Sequence, residues 1–458
     1  MIKVKLNEIK SNRMTGNEAL LLMTKAAQTC YKDTIPEPTE PMNIEGNIFK
    51  VSHHTVMQHL DFSFEIDGIS VGDITFGLHL ANPFYDSSQR SGRFCSAMFS
   101  NPDIEGIMAY ICHYYELTGH QQEMVRRYLK IALQMYSESL PRATAKAREL
   151  IGIERPNASA KYIDQNAPKF AQEQLRNFVP VIFPTGIFYT INLSALVALY
   201  RSAWNPILKD LTQQMADLVV AAIPGIRYMF ERRAEESFNI QIGTSNGVLR
   251  DVVHAMLLRV PNITNAEIPN AKDMHPVDLL PFKPKFMENN TINIESEVQI
   301  SVATMGQDQR HRTLRRGIPM LTGDFYLAPI LAELNLDSKA LDVMSLWKEL
   351  PEDLPESLRV TLSPYGAMVR YRKYASLNAF LHEQHKRGCH CAQQEIYEVS
   401  RKLRKDLMAT TEIPHRMGEL LDAVSPACFF GHGCGEGARY CGRDLDSLLT
   451  NPFPKRTI

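Results

Sequence analysis

The sequence has almost no excess charge of either sign. Lys and Arg total 50 and Asp and Glu total 51, a formal net charge of −1. That balance exerts no global pull toward nucleic acid or anionic membrane, so neither is expected as a partner. Long apolar runs are also missing. A stretch such as LVVAAIPGI (218–226) is too short to span a bilayer and contains Pro224 and Gly225. The opening residues, MIKVKLNEIKSN, hold no signal-peptide core. These absences point to a cytoplasmic protein whose eight cysteines are mostly reduced thiols. The paired C-x-x-C spacing common in zinc sites is absent too.

What is present is organised in two similar stretches. At 458 residues the chain exceeds the usual size of one core. Thr15 and Glu18 have capping-box spacing at the start of a helical segment. Leu60, Phe62, Phe64 and Ile66 alternate with polar residues, which predicts a strand with one buried face. Residues 104–150 read as mostly helical, and INLSALVALYRSAW as a helix that Pro206 bends or ends. The pattern then restarts. NGVLRDVVHAMLLRV (246–260) reads as a second opening helix, Val298, Ile300 and Val302 as a second alternating strand, and YASLNAFL (374–381) as a counterpart of INLSALVALY. The reading is α+β: two tandem domains, 1–235 and 236–458, each a mixed or antiparallel sheet with packed helices.

One stretch concentrates positive charge. Residues 307–316 are QDQRHRTLRR, in which Arg and His make up half the positions. A solvated loop, a nucleic-acid patch and a grip on the phosphates of a small ligand are the alternatives. Arg forks match phosphate geometry bidentately, and several of them converging suit the roughly two negative charges of a phosphate monoester.

These residues resemble the flavin-dependent thymidylate synthases. That family carries a His-x-Ser-x-x-Glu-His stretch before a strand, then Arg-His-Arg, two residues, Ser, four residues and Ser-x-Arg. In HHTVMQHLDFSFEIDGIS and GLHLANPFYDSSQRSGRF, Ser88 and Arg90 match the final Ser-x-Arg, while the Arg-His-Arg falls on Leu78, His79 and Leu80. The second half does the reverse: Arg310, His311 and Arg312 are intact, and the tail falls on Met320 and Thr322. The family's Arg-x-x-Leu-Pro segment is similar to Arg176 in RNFVP and Arg359 in RVTLS. Its helix-end Arg falls on Arg387 in RGCHCAQQEI and on Ala203 in the first half, and its phosphate-touching Gln falls on Gln307 and Thr75. Departures include Thr55 for Ser, Gln58 for Glu and Asp86 for Glu.

In this family residues of different subunits meet at each site. The resemblance therefore implies a composite site made by the two halves of one chain. It places Ser88, Gln89, Arg90, Arg176, Gln307, Arg310 and Arg387 on the nucleotide. It places His53, Thr55, Asp86, Asn192, Arg310, His311 and Arg312 on FAD, and the chemistry at Arg310, His311 and Arg387. The implied reaction methylates dUMP to dTMP, with methylenetetrahydrofolate and NADPH as co-substrates and a homodimer forming a pseudo-tetramer. A related pyrimidine modification such as hydroxymethylation, or a non-catalytic nucleotide- or flavin-binding paralogue, is the alternative. Cys389, His390, Cys391, Cys428, His432, Cys434 and Cys441 remain outside this scheme. They read as reduced thiols with no metal assigned, and tetrahedral zinc is the alternative.

Overall fold

Alternation of apolar and polar residues builds two sheets, seen in a computed structural model that describes every residue outside 7–13, 82–83, 94, 96, 101, 235–237, 261, 271–282, 410–415, 427, 429–433, 435–439, 450 and 452. The first sheet holds β1 (Lys3–Leu6), β2 (Asp61–Ser70), β3 (Tyr85–Gln89) and β4 (Pro184–Asn192) in the order β1-β2-β4-β3, antiparallel throughout. Phe62, Phe64 and Ile66 turn one face of β2 into the core, as their period of two requires.

The second sheet holds β5 (Val248–Leu249), β6 (His254–Arg259), β7 (Asn293–Ser301), β8 (Arg315–Arg316), β9 (Met320–Tyr326) and β10 (Ala367–Ser376). Its order is β5-β9-β10-β7-β6, with β8 paired to β10. Read from its other edge, β6-β7-β10-β9 repeats β1-β2-β4-β3, strand for strand in chain order and antiparallel at each step. The repeat extends to the helix starts. Ser70 and Ser301, which end β2 and β7, cap the segments that follow by accepting from Asp73 N and Thr304 N. Asn192 and Ser376, which end β4 and β10, do the same for Leu193–Arg201 and Leu377–Arg387.

One expectation fails here. Residues 246–260 form β5 and β6 instead of a helix. Ala255 and Met256 register with Val298 and Glu297 of β7, and His254 Nε2 lies 2.7 Å from Glu297 Oε1. A short apolar run does not distinguish helix from strand by itself, and a free sheet edge decided it. The capping box at Thr15 is present, and Pro206 opens a new helix, Pro206–Ala222. The long helices Gly119–Glu154 and Ala160–Leu175 cover the region expected to be helical and the stretch after it. Among the described residues, no helix is long and apolar enough to cross a membrane.

The two sheets share one apolar cluster, which includes Phe64, Tyr128, Phe178, Phe325 and Leu358. At its seam the chain crosses itself reciprocally. Val181 N–H donates to Ser363 O at 2.9 Å, and Tyr365 N–H donates to Val179 O at 2.8 Å. Pro180 faces Pro364 between them. Exchanging each residue for its opposite number reproduces the contact, the mark of a two-fold interface, here contained within one chain. Counting back from the two prolines, Val360 takes the place of Arg176. Arg359, one residue off, instead donates to Leu350 O and Pro351 O. The boundary expected at residue 235 falls outside the described residues.

Candidate functional site

The chain brings five arginines to one cavity of about 280 Å³. Arg90, Arg93 and Arg176 come from the N-terminal half, and Arg310 and Arg387 from the C-terminal half, with Gln89 and Gln307 beside them. Among the described residues, no carboxylate lines it. Small residues, Ala303 and Gly306, leave the space open. Each arginine is placed by an element end: Arg176 follows helix Ala160–Leu175, Arg387 ends helix Leu377–Arg387, and Arg90 follows β3.

The arginines are held in different ways. Arg176 is buried, donates to Gln393 Oε1 at 2.9 Å and lies 5.3 Å from the Tyr365 ring centroid. Its Nε has no partner. The same Gln393 oxygen accepts from Gln307, so one amide ties together a side chain from each half. Arg387 donates to His311 Nε2 and to Gln307 O, both at 2.8 Å. Burial pushes its guanidinium down to about 10, with Arg93 and Arg310 acting the same way against Glu383 and Asp308. Burial and then the Arg387 charge hold His311 well below the usual imidazole range. His311 is therefore neutral, with its proton on Nδ1, which is buried without a partner. Arg93 is ion-paired with Glu173 and Arg90 with Asp67 at 3.4 Å; the remaining positive charge of the cavity calls for an anion.

A second cavity, of about 550 Å³, meets the first at Arg310. Asp86, Asn192, His311, Arg312 and His382 line it with Tyr85. Arg312 crosses from one half to the other, donating to Asp86 Oδ1 at 2.7 Å and to Ser87 O at 2.9 Å. The loop that carries these residues is anchored from beneath by Asp308, which accepts from Arg316 (2.5 Å), Tyr371 (2.8 Å) and Lys373 (2.6 Å). Burial works against the charge of Asp308, but Arg316 and Lys373 hold its carboxyl well below the ordinary range. Lys373 also donates to Glu383.

Of the residues singled out from sequence, Gln89, Arg90, Arg176, Gln307, Arg310 and Arg387 line the first cavity, and Asp86, Asn192, Arg310, His311 and Arg312 the second. Ser88 is exposed on β3 and lines neither of them. His53 and Thr55 lie exposed at the short helix His54–His59, also outside both linings. Sequence reasoning passed over Arg93, three residues beyond Arg90 in the same loop, and Gln393, inside the very RGCHCAQQEI stretch that supplied Arg387. The positions that the sequence reading set opposite the motif residues of the other half are filled differently. Leu78 and Ala203 are core residues, His79 stacks on Tyr85 at 5.0 Å, and Thr322 donates to Asp324 at 3.1 Å.

Residues 13–224 match the family model described as thymidylate synthase complementing protein. The first half of this chain belongs to the flavin-dependent thymidylate synthase family. Among solved structures, thymidylate synthase X from Helicobacter pylori with FAD and dUMP is 18% identical, with a TM-score of 0.33, over 50% of this chain and 98% of that one. A UMP/dUMP methylase, PolB, from Streptomyces cacaoi bound with 5-Br dUMP is 15% identical, with a TM-score of 0.33, over 50% of this chain and 94% of that one. No curated protein matches the chain.

Proposed function

We propose that this chain methylates dUMP at carbon 5 at a single composite site, with FAD as cofactor and methylenetetrahydrofolate and NADPH as co-substrates. The observation that carries this reading is the convergence of five arginines from both halves on one cavity that, among the described residues, no carboxylate lines. A nucleoside monophosphate brings the dianion that such a cavity needs. Its phosphate goes to Arg90, Arg176 and Arg387, and its base points toward Arg310, where the two cavities meet.

The residues of the second cavity fit a flavin. Arg310, Arg312 and Asn192 offer donors for phosphate and ring oxygens, and His311 Nδ1–H is a buried donor with no partner of its own. Bound there, the flavin supplies hydride. The chain's own residues bind, orient and polarise. An Arg310 guanidinium against a uracil carbonyl stabilises the negative charge that makes carbon 5 nucleophilic. His311 stays neutral and keeps Arg387 aimed at the phosphate. The exposed positions of His53 and Thr55 suit delivery to a second chain, in a homodimer that reproduces a tetramer of halves.

The test is direct. Purified protein is expected to take up FAD, to bind one dUMP per chain and to release label from carbon 5 of the nucleotide. Protein that binds nucleotide but never flavin would refute the reaction. Two equivalent nucleotide sites per chain would refute the composite site.

A further inference from the structure

Four of the five arginines of the first cavity are held by acceptors of two kinds. Arg93 pairs with the carboxylate of Glu173, and Arg90 with that of Asp67 at 3.4 Å. Arg387 rests on a neutral ring nitrogen and a carbonyl, His311 Nε2 and Gln307 O. Arg176 rests on a neutral amide, Gln393 Oε1, at 2.9 Å. A carboxylate fixes a guanidinium and cancels its charge, whereas an amide fixes it and leaves the charge for a ligand. We propose that Gln393 is a positioning residue that aims Arg176 at a bound phosphate without cancelling its charge, while Glu173 damps Arg93, so that the acceptor beneath each arginine sets how strongly the cavity holds an anion.

The orientation of the amide follows from the arginine. A guanidinium only donates, so the Gln393 atom that faces Arg176 is the oxygen. The same oxygen accepts from Gln307 Nε2, so the Gln307 amide is oriented in turn. One buried oxygen thus sets a side chain from each half. Gln393 lines neither cavity and acts through the two residues it holds. The carboxylates closest in sequence are committed elsewhere. Glu395, two residues on, accepts from Ser301 N–H and from the Ser301 and Thr304 hydroxyls. Glu173, three residues before Arg176, is the partner of Arg93.

The turn that carries Gln393 is fixed along its backbone. Three arginines donate to three successive carbonyls: Arg155 to His390 O at 3.0 Å, Arg93 to Cys391 O at 3.2 Å and Arg456 to Ala392 O at 3.1 Å. Ala392 N–H closes the turn on Cys389 O at 2.9 Å. Gln394, the next residue, accepts from the Tyr326 hydroxyl at 2.7 Å. Among the described residues, which do not include His432, no group of three or more His, Cys, Asp and Glu is placed to hold a metal ion. What the turn holds in place is Gln393. Arg93 reaches it from the cavity, so the damped arginine braces the residue that aims the undamped one.

The inference rests on the reading that the cavity holds the phosphate of a nucleotide, and inorganic phosphate as a second probe separates the two claims. Binding of dUMP and of inorganic phosphate to the full chain is measured by calorimetry, together with the melting temperature of each variant. Gln393→Glu keeps both hydrogen bonds and should melt near the natural protein. It should nevertheless weaken both ligands by about tenfold or more, because one unit charge is cancelled beside the anion. Gln393→Met keeps the charge but removes the acceptor. It should melt lower and weaken both ligands less than Gln393→Glu does. A purely structural role gives the reverse order and overturns the proposal. Glu173→Gln leaves Arg93 an acceptor but uncovers its charge, and should tighten both ligands by about threefold or more. That gain tests the proposal even where Gln393→Glu fails to fold, and its absence overturns it. Inorganic phosphate that follows this pattern while dUMP fails to bind supports the inference and refutes the nucleotide reading.

Discussion

Arg387 Nε–H donates to His311 Nε2 at 2.8 Å, so a guanidinium fixes the tautomer of the imidazole beside it. Nitrogen NMR of the histidines should find His311 neutral and protonated on Nδ1 at pH 6, where an ordinary histidine is largely charged. A charged His311 at that pH would break the hydrogen bond and the role given to it. His311→Ala should leave Arg387 buried without its ring acceptor and weaken nucleotide binding.

Arg90 and Arg387 are expected to act on one phosphate from opposite halves. Loss of either charge-assisted contact costs roughly 2–5 kcal/mol, so Arg90→Ala and Arg387→Ala should each weaken nucleotide binding by well over tenfold, with flavin uptake largely kept. Because they share a group, the double variant should lose less than the sum. Thr322, which corresponds to Arg90 in the second half, is a poor control because it is buried and bonded to Asp324. Exposed Arg232 serves instead, and Arg232→Ala should change nothing. Calorimetric titration of the four proteins checks the cycle.

Lys373 is 1% exposed and ion-paired to Asp308 and Glu383. Lys373→Met leaves the buried Glu383 without its cation and Asp308 with Arg316 alone, at a cost of roughly 3–5 kcal/mol. The urea midpoint should fall accordingly. Adding Glu383→Gln should recover part of the loss, since Asp308 keeps Arg316.

Asp73 is fully buried, and burial pushes its carboxyl from 3.8 up to about 6, against hydrogen bonds from Ser70 and Tyr110. The folded state therefore holds this proton more tightly than the unfolded chain. Its contribution is present below pH 3.8 and is lost as pH rises through about 6. A shift of that size is worth roughly 3 kcal/mol. Melting temperatures measured across pH should show Asp73→Asn gaining on the natural protein between pH 4 and 7. A gain that shrinks over that window would contradict the raised value.

Much of the site was legible because its chemistry is written in short runs. Arg-His-Arg at 310–312 keeps its spacing within one loop, and Gln89 and Arg90 reach the first cavity from the end of β3, although Ser88 of the same motif does not. The fold was legible where one period dominated, as in β2 and β7. Residues 246–260 were not, because an apolar run takes its conformation from the sheet edge it meets. Arg359 misled for a related reason. Its motif spacing was plausible, but register at the seam is fixed by backbone bonds around Pro180 and Pro364, which no side-chain pattern announces.

The reciprocal crossing at Pro180 and Pro364 has a consequence for dilution and for mutation. Between separate subunits such a contact weakens as protein becomes scarce, and any substitution there strikes both sides at once. On one chain its two sides are held at a fixed effective concentration. They also mutate one at a time, so Val179 and Ser363 occupy equivalent places with different side chains. A chain built this way can let one of two equivalent pockets decay and still keep the other assembled in every molecule.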